Sequence, residues 1–276
     1  TLGLTGDVDT NSANAGTYVA SSGQITPTSI ALADGSNGGL AANYAISDAT
    51  VTINQKAISL SGTRLYDATT DAVASDLTTI SGRVGTETLT LSGTGSVTDA
   101  NVAPNKTVTV GTLALGDGTG LAANYTLSGG THQLTVDQAP ISFTGTRTYN
   151  ATTNVEVANI TLTGQQGGED LTVTGVGSIT SGNVGSGKTA NVTGLTIGDG
   201  VSGTPGTATN YTFTGGTQTF DVTQAQLTIS GSREYDGTQK IESSSMSLSG
   251  LQGGETLTIN DSILTTSSNV GTYSTG

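Results

Sequence analysis

The sequence repeats itself with a period of 83 to 86 residues, and this repetition constrains the fold more than any other feature. The segment 62–70 reads GTRLYDATT, and it returns as GTRTYNATT at 145–153 and as GSREYDGT at 231–238. A period of this length marks a folding unit that is built again along the chain, and each unit in such an array contacts mainly its neighbours. The sequence therefore predicts a tandem array rather than one globule.

Three further markers recur in the same cyclic order, and all eight tyrosines fall at repeat-equivalent positions. They are Asn-Tyr at 43–44, 124–125 and 210–211, a glycine-rich turn ending in Glu at 85–87, 167–169 and 253–255, and an Asn-led loop at 14–16, 101–103, 183–185 and 269–271. We therefore predict complete repeats at 56–138 and 139–224, preceded by the C-terminal half of a repeat at 1–55 and followed by the N-terminal half of another at 225–276. This pattern is typical of a segment of a longer array.

Within each repeat, polar and apolar residues alternate, as in ISFTG at 141–145 and LTVT at 171–174. Alternation with Thr, Val and Ile indicates half-buried strands, and glycine-rich turns separate the runs every 8 to 12 residues or so. No apolar period of 3.6 residues continues beyond a turn or so. The fold class predicted is all-β, with small β-sandwich or open-barrel-like units of roughly six strands each.

The repeats follow one another without a flexible linker. At the junction between the two complete repeats, residues 134–143 read LTVDQAPISF, which has neither a Gly/Ser run nor a proline-rich stretch. We therefore expect the units to be joined end to end into an elongated, stiff rod, in which each repeat has its neighbours in the same chain as partners.

Composition argues against several function classes. The 21 acidic residues outnumber the 8 Lys and Arg, for a net charge of −13, so no basic surface is expected for nucleic acid or anionic lipid. No apolar run approaches the roughly 20 residues that span a bilayer, so membrane insertion is not expected. Cysteine is absent, which excludes disulfides, thiolate nucleophiles and cysteine-ligated zinc.

The residues that could carry chemistry do not form a repeated constellation. The single histidine, His132, is replaced by Gln218 in the next repeat, which predicts a surface position without a catalytic role. A glutamate recurs as Glu87, Glu169 and Glu255, but a glycosidase needs two carboxylates and this marker supplies one per repeat. We expect these glutamates to pair with the recurrent Arg64, Arg147 and Arg233 or to lie in solvated turns. We assign no catalytic, cofactor-binding or metal-binding residues and expect no enzyme.

An Asp-Gly pair precedes each Asn-Tyr marker, at Asp34, Asp117 and Asp199. Oxygen-rich loops of this kind can hold calcium, so calcium remains possible, and no other cofactor is expected. Asp-Gly is also a strong signal for a tight turn, and the alternating acids of a calcium loop are missing. Both interpretations stay open at the level of sequence.

The markers together carry a resemblance to a known family. The order Arg-x-Tyr-Asp-Ala-Thr or Arg-x-Tyr-Asp-Gly-Thr, Gly-Gly-Glu, Asn-Val-Gly, Asn-Tyr resembles the YDG-type and related mainly-β, glycine-rich (MBG) repeats of large bacterial surface adhesins, including filamentous-haemagglutinin-like exoproteins. The sequence departs from that pattern at Asn150, which replaces Asp, and at Ala68 and Ala151, which replace Gly.

The resemblance implies an extracellular location on the bacterial cell surface. It also implies a structural stalk or spacer that projects an adhesive region. The alternative is a repeat module that binds glycans or exopolysaccharide in a biofilm matrix or on a host surface. The low aromatic content, 4% with no Trp, weighs against this alternative because sugar sites usually stack on Trp or Tyr.

Overall fold

The computed structural model describes residues 4–5, 9–26, 31–45 and 48–274. In these residues the regular elements are β-strands and three-residue 3₁₀ turns, with no α-helix, which confirms the all-β prediction. None of the helical turns in the described part is long or apolar enough to cross a membrane. The chain forms two compact units, Thr1–Asp137 and Gln138–Gly276.

The first unit contains a flanking segment and the first complete repeat. The flanking strands are β1 (Leu4–Thr5), β2 (Asp9–Thr10), β3 (Gly16–Val19), β4 (Ile25–Thr26), β5 (Ala31–Leu32) and β6 (Thr50–Ile53). The repeat has β7 (Lys56–Ala57), β8 (Ser59–Leu65), β9 (Asp71–Val73), β10 (Thr79–Ser81), β11 (Leu89–Ser92), β12 (Thr94–Ser96), β13 (Ala103–Thr107), β14 (Ala114–Asp117), β15 (Tyr125–Thr126) and β16 (His132–Asp137). The 3₁₀ turns are Ala20–Ser22, Ala41–Asn43 and Ala122–Asn124.

The second unit contains the second complete repeat and the other flanking segment. The repeat has β17 (Ala139–Pro140), β18 (Ser142–Thr148), β19 (Asn154–Glu156), β20 (Ile160–Thr163), β21 (Leu171–Ile179), β22 (Gly185–Asn191), β23 (Leu195–Asp199), β24 (Tyr211–Thr212) and β25 (Gln218–Thr223). The flank has β26 (Thr228–Gly231), β27 (Lys240–Ile241), β28 (Met246–Ser249) and β29 (Ile263–Leu264). The 3₁₀ turns are Val157–Asn159, Ala208–Asn210 and Ser243–Ser245.

The complete repeats contain more strands than the roughly six that the alternating runs predict, namely ten and nine. Several strands are only two or three residues long, and glycines interrupt the runs. Gly93, with φ of 86°, separates β11 from β12 in the first repeat, whereas β21 of the second repeat continues through the corresponding stretch. Sequence alternation therefore indicated the strand character but not the breaks.

The first and last long strands of each repeat lie side by side and parallel. In the first repeat, β8 and β16 share six consecutive pairs, from Leu60 opposite His132 to Leu65 opposite Asp137. In the second repeat, β18 and β25 share six pairs in the same arrangement. Since both strands of the pair run in one direction, the chain enters the repeat at one end of this pair and leaves at the other.

The remaining strands curl around this parallel pair. In the second repeat the strand order is β19-β21-β22-β25-β18-β20, with β23 also paired to β21. The edge strands β19 and β20 are connected only by the 3₁₀ turn Val157–Asn159, so the two edges of the sheet come together in a nearly closed barrel. In the first repeat β10-β8-β16-β13 form one sheet, and β9-β12, β11-β14 and β7-β15 form separate pairs around it.

Alternation along the parallel strands fills the interior. In the second repeat Phe143, Phe220 and Val222 are fully or almost fully buried in one apolar cluster. Glycine at the next inward position of the first strand allows a loop to pass close by. A Cβ on Gly145 would lie 2.6 Å from the backbone oxygen of Asn159, and one on Gly62 would lie 1.7 Å from that of Asp76. This close approach explains why glycine precedes Thr-Arg in both repeats.

A recurrent tyrosine is buried where both halves of a repeat are present. Tyr125 and Tyr211 are 4% and 2% exposed, whereas the equivalent Tyr44 of the flanking segment is 60% exposed. At the Arg-x-Tyr marker, Tyr66 is 4% exposed and Tyr149 is half-buried, whereas Tyr235 of the flanking segment is 66% exposed. The core of a repeat is therefore assembled from residues far apart in sequence.

Candidate functional site

The Arg-x-Tyr loop is the most densely hydrogen-bonded marker. Arg64 points inward at the end of β8, pairs with the Asp67 carboxylate and donates from Nη2 to the backbone oxygen of Thr69 at 2.6 Å. Oδ1 of Asp67 in turn accepts hydrogen bonds of 2.9 Å from both the backbone N–H and the hydroxyl of Thr69. One buried cation and one carboxylate thus fix the whole turn.

The second repeat builds the same loop with a neutral partner. Arg147 donates to Oδ1 of Asn150 and, at 2.5 Å, to the backbone oxygen of Thr152. Its Nε also donates to the backbone oxygen of Asn154 at 3.2 Å. Burial lowers the pKa of the Arg147 guanidinium and outweighs the nearby Glu156 carboxylate, which raises it, while Asn150 supplies a neutral acceptor.

The backbone of the loop also explains which residue types occur two positions after the tyrosine. Ala68, Ala151 and Gly237 have φ angles of 63°, 60° and 79°, in the left-handed region that glycine adopts without strain. The Ala residues that depart from the Tyr-Asp-Gly pattern therefore occupy a position that favours glycine.

The recurrent glutamates of the complete repeats lie at the glycine-rich turns and bind tyrosines, so of the two predicted alternatives the pairing with arginine is wrong. Tyr125 donates to Oε2 of Glu87, and Tyr211 donates to Oε2 of Glu169 at 2.5 Å. The hydrogen bond to Glu87 raises the pKa of Tyr125. The glycine-rich marker and the Asn-Tyr marker, which lie about 40 residues apart in sequence, are thus one structural contact.

Each tyrosine hydroxyl also accepts a backbone hydrogen bond from the turn that carries the glutamate. The donors are the N–H of Val84 to Tyr125, at 3.1 Å, and the N–H of Gln166 to Tyr211, at 3.0 Å. The hydroxyl therefore acts as donor and acceptor at once and anchors the turn.

The Asp-Gly aspartates close a turn by hydrogen bonding. Oδ1 of Asp34, Asp117 and Asp199 accepts, at 2.7 Å in each case, the N–H of the first residue of the following 3₁₀ turn, namely Ala41, Ala122 and Ala208. Among the described residues no group of three or more acidic or histidine side chains is arranged to hold a metal. The turn interpretation accounts for the recurrence of these aspartates.

His132 is buried, and the prediction of a surface position is wrong. It is 7% exposed on the inward face of β16, and its Nε2 lies 2.8 Å from the backbone oxygen of Leu127. In the next repeat Nε2 of Gln218 donates to the equivalent backbone oxygen of Phe213 at 3.3 Å. Both side chains therefore contact an equivalent backbone oxygen in the interior of their repeat. The alternation of His132 with the buried Leu134 and Val136 is the sequence signal that indicates this inward orientation.

These contacts give the recurrent residues a common role. In the complete repeats the recurrent arginines and the pairs Glu87–Tyr125 and Glu169–Tyr211 hold loops of their own repeat, and equivalent residues make equivalent bonds in both copies. These hydrogen bonds position the loops of the repeat and provide partners for its buried arginines.

Comparison with known proteins gives one match. A family model described as the YDG domain matches residues 49–133 and again residues 131–220. No curated protein matches the chain, and no solved structure matches it.

The neutral partner in the second repeat generates a first prediction. Asn150→Asp should raise the free energy of unfolding of that repeat by about 1 kcal/mol at pH 7, because a charge-assisted hydrogen bond replaces a neutral one at a half-exposed position. Asp67→Asn should lower the stability of the first repeat by a similar amount. Hydrogen exchange resolved by repeat measures both, and a destabilising Asn150→Asp would contradict this explanation.

The pairing of Arg64 with Asp67 predicts that the stability of the first repeat depends on pH. Burial raises the pKa of Asp67, but hydrogen bonds from Thr69 and Arg64 more than offset this, and the net pKa lies below its ordinary value. The contribution of Asp67 to stability is therefore fully present above pH about 3.9 and is lost as the pH falls through the folded-state pKa. Asp67→Asn should weaken the acid sensitivity of the first repeat.

The Asp-Gly turns generate a third prediction, which separates turn closure from calcium binding. Asp117→Ala should cost about 1 kcal/mol, because the N–H of Ala122 loses its acceptor, whereas Asp117→Asn retains an acceptor oxygen and should cost less than half of that. Thermal melts with calcium and with chelator should agree. A melting temperature that calcium raises, and that Asp117→Asn makes insensitive to calcium, would contradict the turn role.

Proposed function

This chain belongs to the YDG domain family, as two tandem domains, and we propose that it is a structural spacer segment of a secreted bacterial adhesin. In this role the repeats project an adhesive region away from the cell, and their location is extracellular, on the bacterial surface. Neighbouring repeats of the same chain are the principal partners. We propose no catalytic activity for it.

The parallel pairing of the first and last strands is the observation that carries the proposal. In both repeats six residue pairs hold these strands side by side. A strand of seven residues extends about 23 Å, so the chain advances by roughly that distance between entering and leaving a repeat. Repeats with this geometry add length to a tandem array with every copy.

The recurrent polar residues support the same role. Arg64 and Arg147 make equivalent bonds within their own loops, as do Glu87 and Glu169 within their own turns. Equivalent structural tasks in successive copies are expected of a spacer, in which no single repeat needs its own chemistry.

A glycan-binding module is less well supported. Protein sites for sugars usually present an exposed aromatic ring, whereas Tyr66, Tyr125 and Tyr211 of the complete repeats are buried and Tyr149 is half-buried. A glycan-array screen of the whole chain separates the two candidates, since a spacer should give no specific signal.

Small-angle scattering provides the test of the spacer function. Compact repeats of about 83 residues should each be roughly 30 Å across, so an end-to-end arrangement should give a maximum dimension above about 90 Å and a skewed pair-distance curve. A matched variant with a second copy of residues 139–224 inserted in frame should be longer by about 25 to 30 Å. A symmetric curve ending near about 60 Å, unchanged in shape by the insertion, would contradict the proposal.

A further inference from the structure

The Gly-Gly-Glu turn of the C-terminal flanking segment lies against the Arg-x-Tyr loop of the repeat that precedes it. The Tyr149 hydroxyl donates a hydrogen bond to Oε1 of Glu255. At the same place the backbones come so close that a Cβ on Gly253 would lie 2.5 Å from the Cβ of Ala151. Both residue pairs lie inside the second compact unit, and they join two consecutive repeats.

Within the complete repeats the equivalent glutamate accepts a hydrogen bond from the Asn-Tyr tyrosine of its own repeat. Tyr211 donates to Oε2 of Glu169, and Tyr125 donates to Oε2 of Glu87. A carboxylate has two oxygens and about four lone-pair positions, so one glutamate can accept from two tyrosines at once.

We propose that the Gly-Gly-Glu turn at 253–255 is a docking element that holds its own repeat against the Arg-x-Tyr loop of the preceding YDG repeat. The partner of this surface is a neighbouring repeat. The purpose of the contact rests on the proposed spacer function, because a docked joint resists bending, whereas its geometry is independent of that function.

The residue types at the contact fit this role. Gly253 has φ of 59°, and a side chain there would collide with Ala151. Ala151 itself stands at the left-handed position of its loop, where the three copies have only Ala or Gly. Small residues on both sides allow the close approach that brings the glutamate within reach of the tyrosine.

A second joint between neighbouring repeats is also made by recurrent markers. In the first unit, Oδ1 of Asn124 accepts the N–H of Ala15 at 2.8 Å, and Nδ2 of Asn124 donates to Oδ1 of Asn14 at 2.9 Å. Here the Asn-led loop of the preceding segment meets the Asn-Tyr marker of the next repeat. Contacts between markers of consecutive repeats thus occur at two separate places in the chain.

A double-mutant cycle on the full chain tests the docking. Tyr149→Phe and Glu255→Ala should each speed amide hydrogen exchange in residues 226–250 by about five-fold, the effect of losing one hydrogen bond. The double variant should exchange no faster than either single variant, because both changes remove the same contact. Glu234→Gln, an exposed charge change in the same segment, is the control and should have no effect.

A glycine pair provides a second, steric test. Gly253 and its equivalent Gly85 have φ angles of 59° and 53°, but a Cβ on Gly85 would meet no atom within 4 Å. Both Ala variants strain their own turns, and only Gly253→Ala should in addition speed exchange around Tyr149 in the preceding repeat. Equal, purely local effects of the two substitutions would overturn the proposal.

The tyrosine itself reports on the contact. The hydrogen bond to Glu255 raises the pKa of Tyr149, and Glu255→Gln should lower that pKa again in an NMR titration of the ring. A Tyr149 pKa that Glu255→Gln does not change, or additive exchange effects in the cycle, would overturn the docking. If the docking tests fail but small-angle scattering shows an elongated molecule, the spacer function stands. The two proposals can therefore fail separately.

Discussion

The parallel pairing of the first and last strands is the constraint on which the rest of each repeat depends. Parallel neighbours cannot be joined by a hairpin, so the whole chain between β8 and β16 must serve as a crossover. In most proteins a helix fills this role, but the alternating Thr, Val and Ile of this chain favour strands over a helix. The crossover here is built from short strands that curl around the parallel pair, and the nearly closed barrel is the result.

A crossover of short strands has many turns, and the recurrent polar residues hold these turns by hydrogen bonds. Arg64 and Arg147 hold the turn after the first strand, Asp117 and Asp199 hold the turn before the Asn-Tyr marker, and Glu87 meets Tyr125. Buried charge is tolerated because each guanidinium donates to at least one backbone oxygen and contacts a carboxylate or an amide oxygen. Sequence markers that recur once per repeat thus correspond to loops that the barrel needs once per repeat.

Repeat architecture and strand character could be predicted from the sequence, because period and alternation are local signals. Partners could not. Glu169 and Tyr211 are 42 residues apart, and only the folded strands bring them together. The predicted surface position of His132 is wrong, because its replacement by Gln218 suggests a dispensable residue. In fact the imidazole of His132 and the amide of Gln218 each contact an equivalent backbone carbonyl. Asp117 is ambiguous in sequence since a carboxylate in a glycine-rich loop suits either a cation or a backbone N–H.

Pulling the chain between its two ends in a single-molecule force experiment tests the central claim most directly, because tension then shears all the hydrogen bonds of each parallel pair together. Each repeat of about 83 residues should unfold in one step and release about 270 Å, its extended length of about 300 Å less about 30 Å when folded. We expect two such steps of nearly equal size. Gradual extension without steps, or many small releases, would show that the parallel pair does not hold the repeat as a unit.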